Sequence, residues 1–121
     1  MDAILYWNEV ALEANRISHT NGMREQTGPT LSSRALAIVH LAMYDAYAGA
    51  VGNPVHPVNL SPYLPNLPAP QPGASPEAAI AAAAYTTLTS LFPSQKAFST
   101  RNMPRQICLE TVYKRVVIMV F

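Results

Sequence analysis

The sequence has little charge. Lys, Arg, Asp and Glu make up 12% of its 121 residues, against about 25% in an ordinary soluble domain. Half of the residues are apolar. A charged disordered chain is therefore excluded, because such chains pair low hydrophobicity with a large net charge. The formal net charge is only +1, too weak a field to recruit nucleic acid or an anionic membrane. The single cysteine, Cys108, excludes an internal disulfide framework and a multi-cysteine metal site. No apolar run approaches the roughly 20 residues of a membrane-spanning helix. The longest are Ala78 to Tyr85, mostly alanine, and Val116 to Phe121. No basic leader opens the chain, and Asn8 and Glu9 interrupt its apolar start. There is no Gly-rich phosphate loop, and Ser32, Ser33 and Ser94 lack the context of a nucleophile elbow.

What the chain has in excess is proline. It carries 11, and eight of them fall between Pro54 and Pro76. That density cannot form a helix interior or a central strand, so residues 53–75 read as an extended, partly polyproline linker. Pro65-Asn66-Leu67-Pro68 also admits a reading as a ligand for proline-binding modules, although such runs occur in many linkers.

Helices flank this linker. From about Asp2 to Ser18, Ile4, Trp7, Ala11, Leu12 and Ala14 lie near helical spacing, with Glu9, Glu13 and Arg16 on a shared polar side. Gly22 and Thr27-Gly28-Pro29 mark irregular chain. A second helix is expected over about Leu31 to Val51, with Thr30 or Ser32 as its N-cap. Its apolar side chains point in nearly every direction, so it should be buried on most sides. The third helix opens on Ser75 as N-cap, Pro76 at the first helical position and Glu77 near the positive end of the dipole. Pro93 stops it, and a short fourth turn or helix follows from Ser94 to about Phe98. The chain is thus expected to be all-α: an incomplete bundle of about three to four helices with the Pro-rich linker between helices 2 and 3.

The tail, residues 99–121, differs in character. Arg101, Arg105, Lys114 and Arg115 bring half of the basic residues, and Val116 to Phe121 is an uncharged, β-prone run. It reads as a truncated or aberrant terminus.

The one polar constellation inside an apolar helix is Arg34, His40 and Asp45. At about 100° per residue, Arg34 and His40 stand about 120° apart, whereas Arg34 and Asp45 share a face three turns apart. One reading is polar groups satisfied by neighbouring elements. The other is an anion site, with Arg34 forking onto an oxyanion and His40 ligating or donating a proton. His19 and His56 lie in loops without a second ligand at metal spacing. Cys108, between Ile107 and Leu109, is expected to be buried rather than reactive.

Asp2 to Glu9, and then Ser33 to Tyr47, resemble the N-terminal helices of the vanadium-dependent haloperoxidases, part of the type 2 phosphatidic acid phosphatase superfamily. The Pro-rich connector, the helix from Ser75 and Leu91-Phe92-Pro93-Ser94-Gln95 also resemble that group. The resemblance covers residues 1–98 apart from Met1, as an N-terminal helical segment, and leaves the tail unmatched. It implies an all-helical protein of two bundles in which full-length relatives hold vanadate in the C-terminal half and oxidise halides with hydrogen peroxide, or hydrolyse phosphate esters. Three motifs hold the oxyanion there. Lys96 is not followed by Arg-Pro at the required distance. Pro93-Ser94-Gln95-Lys96 lacks the Gly and His of the second motif. Ser33, Arg34 and His40 echo the third, but Asp45 is one residue too far.

The resemblance therefore assigns no catalytic, cofactor-binding or metal-ligating residue to this chain, and no vanadate bound by it alone. Near Arg34 the sequence offers one strong cation, and a buried oxyanion needs several. The expectation is an N-terminal fragment of such a protein that is catalytically incompetent alone. The alternative is a helical interaction module that docks a partner half, the C-terminal catalytic half, or self-associates as a homo-oligomer.

Overall fold

A computed structural model describes residues 1–51, 60–65 and 75–104. Most of the linker, and the tail beyond Pro104 with Cys108, therefore lie outside the described residues, as does His56. The described residues form four α-helices and a 3₁₀ turn, with no strand among them: α1 Ala3–Ser18, α2 Pro29–Val51, α3 Pro76–Leu91, the turn Pro93–Gln95 and α4 Lys96–Arg101. The chain is all-α, as its pattern implies.

The three long helices α1 to α3 start where a side chain or a proline relieves the unpaired N–H groups of the first turn. Asp2 caps α1, its Oδ1 accepting from the N–H groups of Ile4 (2.8 Å) and Leu5 (3.2 Å). Ser75 caps α3 by accepting from the Ala78 N–H at 3.3 Å, with Pro76 in the first turn. The start of α2 differs from the expected cap at Thr30 or Ser32. The helix begins at Pro29, and the Gly28 carbonyl already accepts from the Ser32 N–H at 2.9 Å. Proline has no N–H to satisfy and a φ already suited to the first helical position, so it opens the helix. Gly28 takes the φ of +88° that the entry requires. At the other end of α3, the Phe92 N–H closes on Leu88 O at 2.8 Å and Pro93 turns the chain.

The interior lies around α3. Every residue from Ile80 to Leu88 is buried. Alanine at four successive positions, 81–84, keeps the helix thin there, so neighbouring axes can approach closely. On one side Ala82 and Ala83 meet Ala46, with Ala42 and Ala79 packed alongside, in a seam of alanine on alanine. On the other, Ile80, Ala81, Ala84, Tyr85 and Leu88 join Trp7, Val10, Ala11 and Ala14 of α1 and Ala35, Val39 and Met43 of α2.

Two expectations about faces change. Leu12 lies outside the α1 stripe and is half exposed, while Val10 takes a core place; a turn of 100° from Ala11 carries Leu12 off the stripe. The second helix is buried on the face of Ala35, Val39, Met43 and Ala46, and on further sides only towards its end, at Asp45, Ala48 and Val51. Leu31 (44%), Leu41 (39%), Tyr44 (38%) and Tyr47 (38%) remain accessible on it. The physical reason is the number of neighbours: among the described helices, α1 and α3 cover one side of α2.

Candidate functional site

Arg34, His40 and Asp45 do not come together as one site. Arg34 is exposed. His40 is half-buried, and its Nε2–H donates to Asn8 Oδ1 at 2.9 Å, joining α2 to α1. Asp45 is buried, and its two carboxylate oxygens accept from successive backbone amides of the connector: Tyr63 N–H to Oδ1 at 2.6 Å and Leu64 N–H to Oδ2 at 3.1 Å. Next to it the Tyr44 hydroxyl donates to Ser61 O at 2.8 Å. Asp45 and Tyr44 therefore act as a clasp on the stretch 60–65. A carboxylate accepting two N–H bonds is a charge-assisted pair, stronger than neutral bonds. It also satisfies amides that proline-rich chain cannot pair internally.

Similar long-range clips hold the rest of the bundle. Glu25 stands between two residues in the left-handed region, Arg24 (φ +54°) and Gln26 (φ +53°). Its carboxylate accepts from the Ser94 N–H at 2.9 Å and the Ser94 hydroxyl at 2.6 Å. The buried Gln95 Nε2–H donates to Ala14 O at 2.8 Å, and the Tyr6 hydroxyl donates to Asn102 O at 2.8 Å. Ser94 thus fastens a turn to a loop, and nothing at it resembles an activated nucleophile. Ser32 donates to Gln26 O at 3.0 Å. His19 closes the end of α1: its Nδ1–H donates to Asn15 O at 2.7 Å and its Nε2 accepts from the Gly28 N–H at 3.3 Å.

One ion pair shifts titration. Arg16 binds both carboxylate oxygens of Glu13, at 2.8 and 2.6 Å. These hydrogen bonds hold the Glu13 carboxyl below the usual glutamate range, against a small desolvation effect and with the Arg16 charge assisting.

Sequence reasoning missed Glu25, Gln95 and Asn102 as organising residues. Their partners lie 69, 81 and 96 positions away, and no local pattern signals such pairings.

An open groove of about 470 Å³ lies beside the starts of α1 and α3, lined by Ala3, Trp7, Glu77, Ala78, Ala81 and Pro104 among others. Among the described residues, its charged groups are the Glu77 carboxylate and the Met1 ammonium, and one cation beside an acid suits no multiply charged oxyanion. The described residues do not fit vanadate elsewhere either. His40 and Asp45 are engaged by Asn8 and by backbone, and Arg34 stands apart on the surface. Among the described residues, no group of three or more His, Cys, Asp or Glu could hold a metal ion. No described helix is long and apolar enough to cross a membrane.

Comparison with known proteins supplies the family. The chain is 43% identical over 93 residues to the vanadium chloroperoxidase of Curvularia inaequalis, a match that takes in 74% of this chain and 15% of the relative. The chain thus spans less than a sixth of that protein's length. No solved structure matches it. The family model described as the vanadium chloroperoxidase N-terminal domain matches residues 1–119, past the boundary expected at residue 98. With its helical architecture, its clasped proline-rich connector and this match over nearly its whole length, the chain belongs to the vanadium chloroperoxidase N-terminal domain family.

Proposed function

We propose that this chain is the helical scaffold of a vanadium haloperoxidase. In this reading it shapes and supports a C-terminal catalytic half, and the halide-oxidising chemistry with hydrogen peroxide belongs to that half. The observation that carries the reading is the engagement of the polar residues of α2. Asp45 grips the connector and His40 grips α1, so both work in architecture. The outward face of α2, with Leu31, Leu41, Tyr44 and Tyr47, supplies an apolar surface for the catalytic half to cover.

The test is a turnover assay of the purified chain with vanadate, hydrogen peroxide and bromide. The expected rate equals that of free vanadate under the same conditions. Turnover above that level would overturn the scaffold reading. For the docking face, the isolated chain should bind an apolar dye. A monomer by light scattering that binds none would argue against an uncovered surface.

A further inference from the structure

We infer that Asn21-Gly22, in the loop between α1 and α2, is a site of spontaneous deamidation. Asparagine is one of the chemically labile residues. The reaction uses the peptide nitrogen of the following residue as its nucleophile, so that nitrogen must be unpaired, open to solvent and close to the side-chain carbonyl. Both residues are exposed. At Gly22 the space where a side chain would stand holds no atom within 4 Å, so hydroxide and water reach its N–H. That N–H has no acceptor among the described residues. Asn21 Oδ1 accepts from the Met23 N–H at 2.9 Å. This Asx turn holds the amide along the Gly22 peptide, and the Met23 N–H stabilises charge that develops on Oδ1 during attack.

The other asparagines among the described residues are shielded. Asn8 and Asn15 lie inside α1, where the next N–H belongs to the helical ladder. After Asn102, the Met103 N–H donates to Thr100 O at 3.2 Å, and Asn102 Nδ2–H itself donates to Phe98 O at 2.9 Å.

The Gly22 nitrogen, its proton taken by hydroxide, forms a bond to Asn21 Cγ. The Cγ–Nδ2 bond breaks, and Nδ2 leaves as ammonia with a proton returned from water. One water then opens the five-membered succinimide at either carbonyl and leaves an aspartyl or an isoaspartyl residue. Each product adds a carboxylate, which takes the formal net charge from +1 to zero. The new charge stands just past the C-terminus of α1, the negative end of its dipole, where an anion is unfavourable. In the isoaspartyl form the main chain runs through the former side-chain carbonyl, so the turn onto Met23 is lost. The loop that joins Gly28 to His19 and Glu25 to Ser94 is then held less firmly.

Ageing the full chain in heavy-oxygen water, followed by trypsin and mass spectrometry, tests this. Asn21 is the only asparagine in the tryptic peptide Ile17–Arg24. That peptide should give an aspartyl and an isoaspartyl product, each with one heavy oxygen, at a rate proportional to hydroxide. Conversion in the native chain should be no more than about threefold slower than in denaturant, since the fold leaves the site open. Asn8, Asn15 and Asn102 should convert more slowly than Asn21. Asn21→Gln, which would have to close a six-membered ring, should suppress both products while helicity is kept. The isoaspartyl form, separated by ion exchange, should unfold at a lower urea concentration than the fresh chain. The inference is overturned if native conversion is slowed beyond threefold, if the aspartyl product forms alone, or if another described asparagine converts as fast. An unchanged urea midpoint would overturn the claim that conversion loosens the loop.

Discussion

α2 and α3 are both long, apolar and rich in alanine, yet α3 is wrapped along its middle while α2 leaves Leu31, Leu41, Tyr44 and Tyr47 accessible. α3 has α2 along one flank, α1 along another, and α4 with the 3₁₀ turn near its end, so the run Ile80–Leu88 sees almost no water. α2 has its neighbours on the stripe Ala35, Val39, Met43 and Ala46, and turns Leu31, Leu41 and Tyr47 outward. The composition of a helix sets how closely others can approach it. The number of neighbours that do so decides whether it is interior. Small side chains favour the interior position because each alanine admits a neighbour, whereas the larger leucines and tyrosines of α2 project a surface that still needs one.

The sharpest way to break this comparison is to remove the same leucine side chain from each helix. Leu88 of α3 is fully buried, so Leu88→Ala should cost about 2–5 kcal/mol in a urea unfolding experiment. Leu41→Ala on the outward face of α2 should stay within about 0.5 kcal/mol, as surface changes do. Equal losses at the two positions would mean that α2 is covered in solution as fully as α3.

A smaller effect is expected at the clasp. Asp45→Ala leaves the amides of Tyr63 and Leu64 without their acceptor. Water can reach the exposed connector and replace part of what is lost, which places the cost at about 1–3 kcal/mol. Proteolysis within residues 60–65 should accelerate, while cleavage within α3 should not. Asp45→Asn, which keeps one acceptor oxygen, should fall between the wild type and Asp45→Ala. A clasp that merely decorated the surface would leave the cleavage rate unchanged.

Local chemistry announced the ends of the helices better than their places. Ser75-Pro76-Glu77 and Pro93 act within one turn of the backbone, so their meaning is carried by adjacent residues. Pro29 misled only on which residue opens α2, because a proline both discourages helix before itself and starts one at its own position. Faces were harder to read. In α2 and α3 apolar residues occur all round, so periodicity names no inner side. Arg34 and Asp45 share a face by angle, yet one is exposed and the other buried. They stand roughly 16 Å apart along the axis, and the described stretch 60–65 binds at the end that holds Asp45. The partners of Asp45 and Glu25 include backbone amides, which no side-chain identity reports. Resemblance to a family gave the architecture, and the unmatched catalytic motifs gave the expectation that no oxyanion is held.

The smallest effect belongs to the outer surface of α1, and its sign can be stated. The hydrogen bonds from Arg16 lower the Glu13 pKa in the folded chain relative to the unfolded one. Between those two values the unfolded state binds the extra proton, so stability rises with pH across that window. The contribution of Glu13 is complete above the unfolded value, in the ordinary glutamate range near pH 4.3, and is lost as pH falls through the folded value. Glu13→Gln should therefore lower the urea midpoint slightly at neutral pH, and the gap to wild type should close as pH drops below the folded value. At about 1 M salt, where the screening length is near 3 Å, the gap should narrow at neutral pH too, since the pair faces solvent. A gap that persisted in acid and in salt would place Glu13 against something other than Arg16. The outward side of α1 would then be covered in the way that the comparison with α3 reserves for interior helices.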